Sequence, residues 1–140
     1  MIMTLDGSGL RILTDAECYQ RLDSVRTGRI ALSWRAMPLI LPVHFRLLDH
    51  TLLLSTTPGT TLDRATDRAV VAFEAEGPGG RDEPLWSVVA SGMATHRLAD
   101  PFDRRALVHV EIDVCSLTGR EVLDPRSPMA PLHLASVPRW

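Results

Sequence analysis

The sequence predicts a mainly β fold, an antiparallel barrel of six strands with only short helices. Six runs between Arg29 and Cys115 carry strand periodicity. Most are joined by hairpin-length connections, and the helical patterns between them are brief. Closure into a barrel is how such an all-β domain removes exposed strand edges. At 140 residues, 45% hydrophobic and 23% charged, the chain has the size and composition of one globular domain.

The elements follow in order. Residues 1–13 read as a flexible arm. Thr14 with Glu17 three positions on forms a capping box for a helix of about a dozen residues, with Cys18, Leu22 and Val25 near one face. Gly28 closes it, since glycine readily adopts the left-handed helix-ending conformation. Arg29 to Trp34 alternates Ile30, Leu32 and Trp34 against Arg29, Ala31 and Ser33, which is a strand.

A turn at Arg35–Met37 leads to a second strand from Pro38 to Leu47, in which Pro42 lacks a donor for the ladder and predicts an edge or a bulge. Thr51 to Thr56 is the third strand, and its leucine run predicts burial on both faces. Pro58-Gly59 breaks it before a short helix over Thr60–Asp67. Ala69–Glu76 and Leu85–Leu98 are the next two strands, with a bend or bulge at Gly92. After one helical turn from Asp100 to Arg105, Ala106–Cys115 is the sixth. The domain spans residues 14–123, and a Pro-rich tail occupies 124–140.

Composition narrows the partners. A net charge of −2 lacks the basic excess of a nucleic-acid-binding protein. No apolar run reaches the about 20 residues needed to cross a bilayer. Two cysteines without short spacing argue against a disulfide framework and a zinc knuckle, and fit a reducing cytoplasm. The five histidines have no ligand spacing, so no metal site is predicted.

The stretch Ser55 to Thr61 combines hydroxyls, a glycine turn and a helix start, which suits either a phosphate corner or simple capping of the helix by its threonines. Trp86 and Ser87 open the long fifth strand, where an indole can cover a flat ring or fill a barrel end. Glu74 and Glu76 share one strand face and read as its wet side.

The ordered set T-x-x-E, G-R-I-A-L-S, P-x-x-x-P-V-x-F, L-L-L-S-T-T-P-G-T-T-L, V-V-A-F-E, W-S-V-V-A-S-G and L-T-G-R-E-V resembles the pyridoxamine 5′-phosphate oxidase-like family over about residues 14 to 122. That resemblance implies an FMN-binding split barrel acting as a homodimer, with cofactor sites at the subunit interface and a small-molecule substrate. It implies that Leu41, Pro42, Val43 and His44 lie beside the flavin ring, largely through backbone. It assigns Ser55 and Thr56 to the phosphate and Trp86 and Ser87 to the cofactor from the fifth strand.

The family usually has a lysine, often beside a second base, where this chain has Thr60 and Thr61. Arg64, Arg29 or Arg46 are the candidates to replace that charge. The expected function is that of an FMN-dependent oxidoreductase. The alternatives are a reductase using the deazaflavin F420 on the same fold, and a dimeric binding module that has lost its cofactor.

Overall fold

A computed structural model describes residues 4–7, 9–77, 85–97, 101–102 and 104–122. The Pro-rich tail and the 78–84 connection lie outside the described residues. The elements are β1 (Arg11–Ile12), α1 (Asp15–Asp23), β2 (Thr27–Trp34), β3 (Met37–Leu48), β4 (Thr51–Thr56), α2 (Thr61–Ala65), β5 (Ala69–Gly77), β6 (Trp86–Arg97) and β7 (Val108–Glu121).

The sheet order is β1-β7-β4-β3-β2-β5-β6, and β7 also pairs with β6. Strands β2 to β7 therefore close into a six-stranded antiparallel barrel, with β1 added outside the ring on β7. Alternation dictates what fills it. Ile30 and Leu32, Phe45, Leu52 and Leu54, Val71 and Phe73, Val88 and Ala90, and Val110 and Ile112 point inward and are buried. Phe45 and Phe73 meet edge to face, with ring centroids 4.7 Å apart.

The capping box at Thr14 and Glu17 is formed, and Cys18 and Leu22 are the buried residues of α1. Gly119 on β7 is where this helix sits close, because a Cβ there would collide with the Cys18 sulfur and Leu13. The stretch read as a loose arm contributes β1 and the buried Leu10 and Leu13. Charge pins it there: Glu121, nearly buried, is bonded by Arg11 at 3.2 Å and by Arg21 at 2.5 Å, and Arg120 bonds Asp6 at 3.0 Å. These side chains lie over a hundred positions from some of their partners, a pairing no local pattern reveals.

Other boundaries shift for local reasons. No helix forms at the described residues 101–102 and 104–105, which are turns, and β7 begins only at Val108 because Ala106 sits at a positive φ of 50°. Leu53 faces outward and is half-buried, so β4 is covered on one face only. The register between β6 and β7 shifts at Ser91/Gly92. Gly92 is required there, since a Cβ would run into the Asp113 carbonyl.

Pro42 is accommodated by a local edge. β3 pairs with β2 along Met37–His44 but with β4 only over Phe45–Leu48. Phe45 N–H donates to the Arg26 carbonyl at 2.9 Å, on the β2 side. Alternation then turns the backbone groups of Pro38, Ile40, Pro42 and His44 toward the open side, where the two prolines have no N–H to leave unsatisfied.

Candidate functional site

The open side of β3 is flanked by two hollows. The larger, a groove of about 470 Å³, lies across β3, β4 and β7. His44 and Arg46 reach it from β3, Ser55 from β4 and His109 from β7, all on the outward face opposite buried Phe45, Leu54 and Val110. Arg97, at the end of β6, and Arg105, just before β7, complete its wall. Ser55 pairs in register with His109, and the Ser55 hydroxyl is 2.9 Å from His109 Nδ1. Arg97 also pairs with His109 in register and forms an ion pair with Glu111 at 3.6 Å. Among the described residues, the groove is thus walled by three guanidinium groups and two imidazoles, with no acidic side chain in its lining.

The second hollow runs along Thr27, Gly28, Arg29 and Pro42 to Glu74 and Glu76. Arg29 bonds Glu76 at 3.1 Å and Glu74 at 3.5 Å, and the bond to Glu76 with the two negative charges raises its pKa above the ordinary arginine value. A cation clasped by two carboxylates is poorly placed to hold a phosphate. Ser87, nearly buried, donates to Glu74 at 3.3 Å. The glutamates read as a wet face therefore organise Arg29 and Ser87.

The remaining residues singled out by sequence fall elsewhere. Leu41 and Val43 pack toward the core, leaving Pro42 and His44 on the outside. Trp86 is buried at 3% exposure, its indole lying where a side chain on Gly77 would be, which is the barrel-end position. The threonine turn is bonded to itself. Thr60 caps α2 by accepting from Asp63 N–H at 3.2 Å, and its hydroxyl is 2.7 Å from that of Thr56. The Asp63 carboxylate accepts from Gly59 N–H at 2.7 Å, so a carboxylate stands where an anion would bind. Thr61 is the first residue of this five-residue helix, and Arg64 is exposed on it.

The structure thus unites His44 with Ser55, and Pro42 with Arg29 and Glu74, but keeps Thr60, Thr61 and Trp86 out of both hollows. Arg97, Arg105 and His109 were invisible to sequence reasoning. Alternation in Val108–Ile112 does predict that His109 faces outward, yet only the cross-strand register identifies its neighbours. No group of three metal-ligating side chains occurs among the described residues. No helix there is long and apolar enough to cross a membrane.

Comparison with known proteins agrees with this architecture. The family model for pyridoxamine 5′-phosphate oxidase matches residues 14–130. An uncharacterized protein of Mycobacterium tuberculosis is 32% identical over 130 residues, covering 80% of this chain and 86% of its own length. Among solved structures, an FAD binding protein from Mycobacterium smegmatis is 30% identical with a TM-score of 0.69, over 81% of this chain and 98% of that one. An FAD-binding protein from Mesorhizobium loti, 22% identical with a TM-score of 0.63 over 81% and 98% of the two chains, shares the fold. Six barrel strands in this order, and a family match spanning the whole barrel, make the chain a member of the pyridoxamine 5′-phosphate oxidase family.

Proposed function

We propose that this chain is a flavin-nucleotide-binding oxidoreductase that works as a homodimer on a small-molecule substrate. The observation that carries this reading is the half-open β3 edge, where backbone carbonyls and the N–H groups of Ile40 and His44 face outward beside a basic groove. A flat heterocycle needs such in-plane donors and acceptors, and its phosphate tail needs cations nearby. The Mycobacterium smegmatis relative at 30% identity, an FAD binding protein, supports a flavin.

When bound, the flavin supplies the hydride or electron chemistry, while the protein orients it and excludes competing reactions. Pro38 and Pro42 keep the edge free of a competing strand, and His44 and Ser55 line the wall into which the nucleotide tail extends. No side chain is required as acid or base.

FMN is the form that the family resemblance implies. FAD is a second reading favoured by the same relative, and F420 a third that fits a turn without its lysine. Homodimerisation is supported by an apolar outer face on β3, β5 and β6, where Ile40, Val70 and Met93 are 69%, 73% and 42% exposed.

The visible absorption spectrum of the purified protein, before and after addition of FMN, FAD and F420, tests the assignment. A yellow protein, or one whose added flavin fluorescence is quenched, is expected. A folded dimer that takes up none of the three is the lost-cofactor module instead.

A further inference from the structure

The first described residues form a unit of their own. Leu5 bridges Arg11, Ile12 N–H donates to the Thr4 carbonyl at 2.8 Å, and Asp6 N–H donates to the Leu10 carbonyl at 2.9 Å, so residues 4–6 and 10–12 fold against each other as a small hairpin. Little backbone joins it to the barrel. β1 gives a ladder of two residues, and Leu13 N–H donates to the Gly119 carbonyl at 3.0 Å. Apolar contact is modest as well, since Leu10 packs with Val122 and Leu85 in a small cluster outside the main core, Leu13 reaches that core, and Leu5 is exposed.

Ion pairs supply the rest of the fastening. Arg11 bridges two elements, meeting Glu17 of α1 at 2.7 Å and Glu121 of β7 at 3.2 Å, while Arg21 of α1 takes the second Glu121 oxygen. Arg120 holds Asp6 at 3.0 Å. In register Arg11 stands opposite Glu121 and Ile12 opposite Arg120, so the two-residue ladder aligns both locks. The Asp6 and Glu121 side chains are 6% exposed, which shields these pairs from salt, and removing one partner leaves its mate charged and out of water.

Such a fastening is sensitive to acid. Once its carboxylates take up protons, Arg11, Arg21 and Arg120 are three guanidinium groups from the hairpin, α1 and β7 with no counter-charge between them. Glu17 marks the direction. The bond from Arg11, and after it the one from Thr14 N–H, lowers its pKa below the ordinary carboxylate value. A lowered carboxylate contributes stability that is complete above the ordinary value and is lost as pH falls through the folded one, so acid loosens the hairpin. The same carboxylate closes the capping box of α1, whose first turn also carries Asp15, so its protonation weakens the Arg11 lock and the helix start together.

We propose that the N-terminal hairpin is an ion-locked strap that opens in acid as a unit, ahead of the barrel, and uncovers the β7 edge at residues 119–121. Asp6, Arg11, Glu17, Arg21, Arg120 and Glu121 are its fastening. Leu13, which meets Cys18 at Gly119, is the apolar plug that leaves with it.

Hydrogen exchange of single amides in the full chain tests it, read by NMR as protection factors so that the intrinsic pH dependence of exchange cancels. A detached hairpin this short does not persist in water, so its internal amides exchange once it opens. At pH 7 the Ile12 and Leu13 amides should be protected. Between pH 7 and pH 4 their protection should fall at least about tenfold more than that of Val110 and Ile112 in the barrel. Glu17→Gln, which does not titrate, should make that fall shallower. Glu121→Gln should open the strap already at pH 7, lowering protection of Ile12 and Leu13 by roughly 100-fold while the barrel amides change by less than about threefold. Asp6→Asn, a change on the strap itself, should act in the same direction by roughly tenfold. Arg29→Gln, which breaks an ion cluster elsewhere on the barrel, should leave both strap amides as they are.

Strap and barrel amides that lose protection together, in acid and in the variants, overturn the proposal, because no separate unit then opens. Unchanged protection of Ile12 and Leu13 in both Glu121→Gln and Asp6→Asn overturns it as well, because apolar contact is then the fastening. So does a hairpin already unprotected at pH 7. Should Glu121→Gln fail to fold, Asp6→Asn and the wild-type pH series decide the matter alone.

Discussion

Cys18 and Cys115 show how far placement alone separates two identical side chains. Cys18 is 1% exposed, and burial, reinforced by the nearby charges of Asp15 and Glu17, pushes its thiol up to about 11. Cys115 is exposed on β7. At pH 8 a maleimide should therefore label one thiol per native chain, Cys115, and reach Cys18 only after denaturation; mass spectrometry counts the adducts, and two in the native protein would contradict the packing. Because the native thiol holds its proton to higher pH than the unfolded one, the stability tied to it is complete below the ordinary value of 9.0 and declines as pH rises toward about 11. A Cys18→Ala variant should lose that alkaline slope in urea titrations. At this scale the sequence is uneven as a guide. Cys18 is legible as a packing residue from its place on the apolar helix face, and His44 and Ser55 as candidate site residues. Arg97 and His109 are not, because a charged residue at a strand end looks the same whether it faces water or a groove.

Among the elements, the β2–β3 hairpin carries a local contradiction. Arg35 and Ala36 sit at φ of 51° and 64°, the paired left-handed geometry usually taken by Asn-Gly. The Arg35 guanidinium lies 5.3 Å from the centre of the Trp34 ring, which helps hold the turn. Ala36→Gly should relieve about 1–2 kcal/mol of steric cost against about 0.5–1 kcal/mol of added chain entropy, a net gain of about 0.5–1 kcal/mol. A higher urea midpoint with an unchanged slope is the expected readout, and a lower one would show that the turn is not strained. The turn is legible from the break between two alternating runs, but its type is not, since neither residue announces a positive φ. The threonine turn has the opposite history. Its composition admits both capping and phosphate binding, and the Asp63 carboxylate, which a motif scan passes over, is what favours capping.

The whole molecule is the level at which the sequence is most readable. Alternation in each strand fixes which residues point inward, and six such strands with short connections leave closure as the natural arrangement. What stays hidden is lateral placement: β1 on β7, Arg105 in the same groove as Arg46, and the apolar outer face of β3, β5 and β6. If that face joins two copies, Ile40→Glu with Val70→Lys should convert a dimer into a folded monomer by light scattering, with little change in thermal midpoint of the isolated barrel. A wild-type protein that is monomeric at high micromolar concentration would remove the dimer from the functional reading.

Pro38 and Pro42 both stand on the stretch of β3 that extends past its pairing with β4. A strand edge with no partner among the described residues is an invitation to any other extended chain, including the same edge of another molecule. Along Met37–His44 only Ile40 and His44 offer outward amides, so a foreign strand finds half the donors it needs to zip up. The two prolines thereby guard the protein against sheet-to-sheet aggregation, and replacing Pro42 with threonine would trade that protection for a template.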